Sequence, residues 1–354
     1  MASRRELRDG RQDGLRPLET LDLDQVASFS DLLRGMSKTA FGGRALGEAL
    51  DVLVAMVRDP ECKVVLTLSG AMTVAKMGGV IAKMVDSGMV HAIVSTGALI
   101  THGLSESIGQ IHYRHDPSMS DKELFAKGYN RIYDTLELEA NLNEVEEYAA
   151  RAFEQLEGQA DVSSESICRM IGKLLAEDPE ARGVLRSAYL NDVPVYIPAF
   201  TDCELGLDLA TWAMRAAHAK GERNFDKLLD ALPRFDAFRD LASFARFALS
   251  SKHLGIFTVG GGVPRNWAQE VGPFVDVVNG RFSLGLDPPR FRYGVRLCPE
   301  PVHWGGLSGC TYTEGVSWGK FVPPDEGGRF AEVVADATTV WPLLVKGALE
   351  ELGS

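Results

Sequence analysis

Short apolar runs alternate with longer amphipathic segments along most of this chain. Runs rich in β-branched and aromatic residues predict strands at 63–68, 91–95, 194–200, 254–259, 293–297 and 331–334. Apolar residues at helical spacing predict helices at 44–57, 72–85, 142–156, 166–175, 205–219 and 225–249. This alternation is typical of an α/β fold, here a mostly parallel, doubly wound, Rossmann-like sheet with helices on both faces.

The amino-terminal stretch lacks this alternation. Residues 1–35 are charged at first and mildly apolar around 21–33, so we expect a flexible arm followed by a docking segment. Residues 36–354 have the length and apolar content of a single large domain.

Composition narrows the classes of partner and compartment. The formal net charge of -12 disfavours nucleic acid, which needs a basic surface, and it suits a polycationic ligand. No apolar run is long enough to span a bilayer, and no signal peptide is evident, so we expect no membrane partner. The five cysteines are scattered, which favours reduced thiols and a cytoplasmic protein.

Small and polar residues follow the predicted strands. The carboxyl ends of parallel strands meet at one edge of a sheet, where ligands of such folds gather. Glycines at that edge let the backbone approach a pyrophosphate, although no Gly-x-Gly-x-x-Gly fingerprint is present. In chain order the residues at these strand ends are Ser69, Thr96, Gly97, Asp202, Gly260, Gly261, Gly262, Asp336 and Ala337.

The segment 314–320 combines an acid, an indole and an amine. If this segment is extended, Glu314, Trp318 and Lys320 project from the same face. A lysine held against an indole and away from water is more accessible as a neutral nucleophile, and Trp318 beside Glu314 could seat a cationic amine. Packing by Trp318 with a solvated Lys320 is the alternative interpretation.

This segment belongs to a longer set of motifs. The run Val-Ser-Trp-Gly-Lys at 316–320, Ala-Asp-Ala at 335–337 and Trp-Pro-Leu-Leu at 341–344 resemble the deoxyhypusine synthase family. Stretches 194–202, 260–263 and 128–132 agree in order and spacing, so the resemblance extends from about residue 36 to the end.

The resemblance implies a function and an assembly. In that family, bound NAD oxidises spermidine beside its secondary nitrogen, and a lysine then carries the aminobutyl group as an imine until an acceptor amine takes it. The family forms homotetramers of paired dimers with active sites at the dimer interface.

The resemblance also implies roles for individual residues. Lys320 stands at the position of the catalytic lysine, and Glu314 and Trp318 match residues that line the polyamine channel. The positions implied to contact NAD are Ser69, Thr73, Thr96, Gly97, Asp202, Gly261, Ser308, Asp336 and Ala337.

The chain departs from the family pattern where polyamine is recognised. Asn266 replaces a family histidine, Leu207 and Leu307 replace aspartates, and Thr101 with His102 replaces an acidic pair. We therefore take Asn266 and His102 as candidate substrate contacts, although His102 could equally be structural. Asp208, next to Leu207, could restore one carboxylate.

These losses divide the functional hypotheses. They favour transfer to a small amine, as in homospermidine synthesis, over modification of a lysine of translation initiation factor 5A. A non-catalytic NAD-binding scaffold is a third hypothesis, which retention of Glu314, Trp318 and Lys320 disfavours.

Two other features suggest chemistry less strongly. His112 and His115 have a His-x-x-His spacing, but Pro117 follows them, so we predict an exposed loop and no metal site. Cys203 and Cys310 lie near the proposed site segments without an obvious base, and we expect inert thiols.

Overall fold

A six-stranded parallel sheet forms the centre of the protein. The computed structural model describes residues 7–157 and 162–353. Every neighbouring pair of strands in this sheet is parallel, which confirms the predicted α/β architecture. Across the sheet the order is β6 (Val195–Tyr196), β2 (Ala92–Ser95), β1 (Cys62–Leu68), β7 (His253–Val259), β8 (Phe291–Leu297) and β9 (Arg329–Val333).

Helices cover both faces of this sheet. Alternate residues of β1 face opposite sides, so Val64 and Leu66 join one apolar cluster while Val65 joins another. The helices are α1 (Phe29–Ser37), α2 (Phe41–Arg58), α3 (Gly78–Asp86), α4 (Gly97–Ser107), α5 (Asp121–Ala126), α6 (Glu139–Leu156), α7 (Ser164–Ala176), α8 (Val184–Leu190), α9 (Glu204–Ala219), α10 (Phe225–Leu229), α11 (Ala237–Leu249), α12 (Gly262–Gln269), α13 (Val271–Phe282), α14 (Tyr312–Ser317) and α15 (Ala337–Leu352). The larger cluster includes residues of α2 to α4, α6 to α9 and α15, and the smaller one includes residues of α11 to α14.

The direction of strand addition reverses between β1 and β7. The chain adds β2 and β6 on one side of β1, then adds β7, β8 and β9 on the other. A buried hydrogen bond of 2.8 Å between the hydroxyls of Thr67 and Thr258 joins the two central strands. In an open parallel sheet the carboxyl ends at such a reversal flank the ligand crevice. The crevice therefore lies where Ser69 and Gly260 follow these strands.

Most of the predicted elements are confirmed, with three corrections. The predicted strand 194–200 is only two residues long, because the Ile197 amide bonds to the Ser164 hydroxyl instead of a neighbouring strand. The predicted helix 72–85 begins only at Gly78, after a turn in which Lys76 has a φ of 63°. The predicted helix 225–249 is divided into α10 and α11 around Pro233.

A second, antiparallel sheet was not predicted. It consists of β3 (Tyr113–Arg114), β5 (Thr135–Leu138) and β4 (Tyr129–Ile132), in that spatial order. Strands of two to four residues carry too little alternation to be recognised in a sequence. This small sheet places Glu137 beside His102 of α4.

The first helix packs as part of the main body. Leu33 of α1 is buried, and a Cβ at Gly47 of α2 would lie 2.4 Å from the Leu33 carbonyl oxygen. The Arg34 guanidinium also pairs with Glu351 of α15 at 2.6 Å. The predicted boundary between arm and domain at residue 35 thus falls inside α1, and residues 1–6 lie outside the described residues.

None of the helices within 7–157 and 162–353 has the combination of length and apolar character that a bilayer span requires.

The central strand β7 supplies a test of the core. Phe257 is completely buried, so Phe257→Ala should lower the free energy of unfolding by about 3–5 kcal/mol through lost burial and a residual cavity. Phe125 of α5 is exposed, and Phe125→Ala should change it by less than about 0.5 kcal/mol. Urea denaturation measures both, and equal effects would contradict this packing.

Candidate functional site

A glycine turn closes the crevice between β1 and β7. Gly260 and Gly262 have φ angles of 80° and 58°, in the left-handed region that favours glycine. The Ser69 hydroxyl bonds to the Gly261 carbonyl, and it accepts a hydrogen bond from the Gly261 amide at 3.2 Å. A Cβ at Gly261 would lie 2.5 Å from the Ser308 Cα. The structure therefore brings Ser69, Gly261 and Ser308 together.

The amino terminus of α12 follows this turn. Its N-cap residue, Gly261, has no side chain, so no side-chain cap occupies the first amides of the eight-residue helix. Free amides and the positive end of a helix dipole bind anionic groups, and glycines allow such a group to approach the backbone. This end of α12 could hold a pyrophosphate.

The ends of β2 and β6 form the adjoining part of the crevice. Thr96 caps α4 through the Leu99 amide, and its hydroxyl donates to the Gly70 carbonyl at 2.6 Å. A Cβ at Gly97 would lie 2.1 Å from the Cys203 sulfur, so a glycine is required there. These contacts hold the end of β2 against the segment that follows β6.

Three of the other residues expected to contact NAD are more dispersed. Asp202 follows β6 and Asp336 caps α15 after β9, so they belong to opposite edges of the sheet. Their strands are separated by about 24 Å, and the two residues would contact different parts of any shared ligand. Ala337 is the buried first residue of α15.

Thr73 does not reach the crevice surface. Its side chain is fully buried, and its hydroxyl donates to the Leu99 carbonyl at 2.7 Å. This geometry gives no support to the predicted contact between Thr73 and a cofactor.

The lysine segment is not extended, so the condition under which Glu314, Trp318 and Lys320 would share one face is not met. Thr311 caps helix α14 by accepting from the Glu314 amide, so Glu314 lies in a helical first turn. The helix ends at Ser317, Trp318 is its C-cap residue, and Gly319, with a φ of 70°, redirects the chain into Lys320. A helix followed by a left-handed glycine therefore takes the place of the two-residue periodicity that an extended segment would have.

Lys320 nevertheless occupies a specific polar setting. Its Nζ donates to Asn266 Oδ1 at 3.0 Å, lies 2.8 Å from Glu270 Oε1, and stands 5.8 Å from the centre of the Trp318 ring. The Lys320 side chain is 9% exposed and that of Glu270 is 46% exposed. Trp318 is largely exposed, so Lys320 is buried while the ring beside it faces solvent.

Glu270 is not among the site residues predicted from the sequence. It follows Asn266 by four residues, which places the two side chains on the same side of one helical turn. That spacing could have identified Glu270 once Asn266 was chosen.

Glu314 is exposed and lies near Cys310. Burial raises the pKa of the Cys310 thiol, and a hydrogen bond with Glu314 raises it further. The pKa of Cys203 is raised to about 11, chiefly by burial. Both raised values support the prediction that these thiols are inert.

His102 lies in a buried polar cluster with Glu137 and His112. His102 Nδ1 is 3.0 Å from Glu137 Oε2. Burial alone would raise the pKa of Glu137, but hydrogen bonds from His102, His112 and Asn141 lower it to about 2. The prediction that His112 lies in an exposed loop is wrong, because the two short strands around it fold its side chain inward.

The residues that replace family acids differ in orientation. Leu207 and Leu307 are both exposed, and their apolar side chains cannot pair with a cation. Asp208 is turned inward, and burial together with the charges of Glu146 and Glu204 raises its pKa to about 7. Asp208 therefore does not take the place of a carboxylate at Leu207.

Together these features define a class of protein: an α/β protein with a glycine turn at the reversal of its sheet and a buried lysine that contacts the helix following that turn. The profile of the family described as "DS: Deoxyhypusine synthase" matches residues 31–348. The chain is 32% identical to "Probable deoxyhypusine synthase 2" of Methanosarcina mazei over 92% of this chain and 87% of that protein. It is 31% identical to "Deoxyhypusine synthase-like protein" of Chlorobaculum parvum over 88% and 84%.

The chain therefore belongs to the deoxyhypusine synthase family. Members of this family are enzymes that transfer aminobutyl groups, so the protein is a transferase of alkyl groups other than methyl. A solved structure described as a "putative deoxyhypusine synthase from Entamoeba histolytica" has the same fold, with a TM-score of 0.56 at 14% identity over 93% of this chain and 96% of that one.

Asp208 provides a test of the site by pH. Its pKa of about 7 in the folded protein exceeds the unfolded value of 3.8, so the folded state binds this proton more tightly. Stability should fall as pH rises between those values. Asp208→Asn should raise the free energy of unfolding by about 1–2 kcal/mol at pH 8 and by almost nothing at pH 4. The increase at pH 8 is smaller than the full pKa shift implies, because Asp208 is partly exposed.

Thermal unfolding of wild type and variant at both pH values measures this difference. Asp287→Asn, at an exposed carboxyl, is the matched control and should show no pH-dependent difference. An Asp208→Asn effect of the same size at pH 4 and pH 8 would contradict the raised pKa.

Proposed function

We propose that this protein is an NAD-dependent transferase that moves an aminobutyl group from spermidine or a related polyamine to a small amine, as in homospermidine synthesis. Lys320 is the covalent nucleophile. The observation that carries this proposal is the placement of Lys320 Nζ, shielded from solvent, between Asn266, Glu270 and the ring of Trp318.

The side chains around Lys320 suit an exchange of imines. Glu270 lies 2.8 Å from Nζ and can accept the proton that the ammonium must lose. The neutral amine then attacks the imine carbon of the oxidised donor, the bond to the diaminopropane nitrogen breaks, and that nitrogen takes up the proton. An acceptor amine attacks the lysine imine in the same way and releases Lys320.

Trp318 and Glu314 are suited to holding the donor. The exposed indole face attracts ammonium groups, and the exposed Glu314 carboxylate adds opposite charge. Asn266 orients Lys320 through its side-chain oxygen, a role that differs from the direct substrate contact expected from sequence. His102 lies within the buried cluster and supplies no such contact in this arrangement.

The crevice fits a dinucleotide. Gly261 leaves the α12 amides open for a pyrophosphate, and the surrounding residues are small. Bound NAD would accept a hydride from the carbon beside the donor's secondary nitrogen and return it after transfer. We propose that it is held by Ser69, Thr96, Gly97, Asp202, Gly261, Ser308, Asp336 and Ala337.

The acceptor is inferred from the altered channel. Leu207 and Leu307 expose apolar side chains where the family pattern has acids, so fewer carboxylates are available to hold a long polycation. This favours a small amine acceptor. Modification of a lysine of initiation factor 5A is the second candidate, because the archaeal relatives are named deoxyhypusine synthases.

We also propose a homotetramer in the cytoplasm, with active sites at a dimer interface. Val263, Trp304 and Leu307 expose large apolar side chains on adjoining segments beside the crevice. A soluble protein rarely leaves such a patch uncovered, and a second copy of the chain would cover it.

Product analysis tests the function directly. The purified protein is incubated with NAD, spermidine and excess putrescine, and amines are identified by mass spectrometry. Homospermidine with an equal amount of diaminopropane is expected. A parallel reaction replaces putrescine with initiation factor 5A, and aminobutylation of that protein alone would overturn the small-amine proposal.

Lys320→Ala should abolish transfer while leaving NAD binding and thermal stability near wild type, because only the nucleophile is removed. Borohydride added during turnover should trap an aminobutyl group on Lys320 of the wild type, located by peptide mass spectrometry. Lys320→Arg, which keeps the charge, should also be inactive. Normal transfer by either variant would remove Lys320 from the mechanism.

Glu270→Gln should lower kcat about 100-fold at neutral pH, because the nearest proton acceptor of Lys320 is lost. The loss should shrink as pH rises, since hydroxide then replaces the carboxylate. Asp276→Asn, at an exposed carboxyl near Gly319, is the control and should keep wild-type kcat. A Glu270→Gln loss independent of pH would contradict a role in proton transfer.

A further inference from the structure

Three buried side chains with metal-binding atoms lie close together. His102 lies on α4, His112 immediately precedes β3, and Glu137 lies on β5. Their exposures are 6%, 7% and 0%, and their nearest ligand atoms all lie within 4.8 Å of one another. Two imidazoles and a carboxylate are rarely buried together unless they bind each other or an ion.

The distances between these ligand atoms need only a small increase for an ion to enter. Glu137 Oε2 lies 3.0 Å from His102 Nδ1 and 2.6 Å from His112 Nε2. Two ligands of a tetrahedral zinc ion are about 3.3 Å apart, given bonds of about 2.0 Å to each. An opening of less than about 1 Å at these contacts would therefore seat the ion.

His112 Nε2 is the atom that a network of hydrogen bonds fails to explain. It is completely buried, and its 2.6 Å contact with Glu137 Oε2 is poorly aligned as a hydrogen bond. A poorly aligned contact supplies less of the stabilisation that a buried nitrogen needs. Coordination of an ion would satisfy His112 Nε2, because the ion can lie along the lone pair of this nitrogen even where that lone pair does not point at Glu137 Oε2.

The surroundings orient these ligands. Glu137 Oε1 accepts from the Asn141 side chain at 2.6 Å and from the Leu138 amide at 3.2 Å, which leaves Oε2 to face the histidines. Partners of this kind fix the ligating atom in metal sites.

A second carboxylate lies behind His112. Glu106 Oε1 is 3.9 Å from His112 Nδ1, and Lys76 Nζ lies between them at 2.5 Å and 2.7 Å. The Lys76 ammonium can only donate, so His112 Nδ1 accepts from it; when an ion takes Nε2, Nδ1 carries the imidazole proton, and Lys76 turns away from Nδ1 while it keeps its pairing with Glu106.

We propose that His102, His112 and Glu137 bind one divalent transition-metal ion of the zinc class. Two imidazoles and one carboxylate suit Zn²⁺, whereas Mg²⁺ and Ca²⁺ prefer oxygen ligands alone. The ion would fasten the small antiparallel sheet to α4 of the main body. This proposal does not depend on the proposed transfer chemistry.

Metal analysis of the full chain tests the proposal. The protein is stripped with a chelator, dialysed and titrated with ZnSO4, and bound zinc is measured by elemental mass spectrometry. We expect one ion per chain and a higher thermal midpoint with zinc. Titration with Co²⁺ should give the visible absorption of a four-coordinate ion.

Variants locate the ion. His112→Gln and Glu137→Gln should each lower zinc affinity at least about 10-fold, and together abolish the cobalt spectrum. His115→Gln is the matched control from the same His-x-x-His pair, and His253→Gln controls for the exposed group with Asp59 and Glu61. Both controls should bind as wild type. Lys76→Met should bind at least as tightly, because it frees His112 Nδ1.

Thermal unfolding of each metal-free variant shows whether it is folded. Absence of zinc binding by folded wild type at micromolar zinc would overturn the proposal. Binding that survives the double variant, or that is lost in His253→Gln, would also overturn it. In each of these three cases the three side chains form only a hydrogen-bonded network.

Discussion

The parallel pairing of β1 with β7 is the constraint on which the rest of the site depends. Seven residues of each strand are in register, from Cys62 opposite His253 to Leu68 opposite Val259. This register brings Ser69 beside the glycine turn, and the turn starts α12. Because Asn266 lies on α12 and Glu270 directly follows it, the same pairing that forms the crevice also sets the two polar contacts of Lys320.

The contacts of Lys320 impose opposite requirements on the chemistry. The Glu270 carboxylate stabilises a buried cation, yet a nucleophile must be neutral when it attacks. Glu270 is only partly buried, so a cationic substrate arriving over Trp318 would compete with Lys320 for that carboxylate. In the proposed mechanism, arrival of an amine would therefore help to release the lysine.

A buried polar group joins the small antiparallel sheet to the main body. Glu137, His112 and His102 connect β5, the segment before β3 and α4. Lys76 reaches the same group from a backbone conformation that is uncommon for a residue with a side chain. A buried group of this kind tolerates little substitution, because removal of one partner leaves the others unsatisfied.

Local pattern in the sequence determined the strands of the main sheet, most helices and the residues at the strand ends. Five of the predicted strands lie within two residues of β1, β2, β7, β8 and β9. Buried β-branched runs and helical periodicity are properties of neighbouring residues, and a sequence displays them directly. The motif at 316–320 identified Lys320 in the same way.

Only the tertiary structure decided the geometry that lies between distant segments. The segment before Lys320 is helical, because Thr311 caps the start of α14 and Gly319 turns the chain after its end. Glu270 and Lys320 are 50 residues apart, and His102 and Glu137 are 35 apart, so no local periodicity relates them. Their contacts arise from sheet register and from how helices pack on that sheet, and those depend on the whole chain at once.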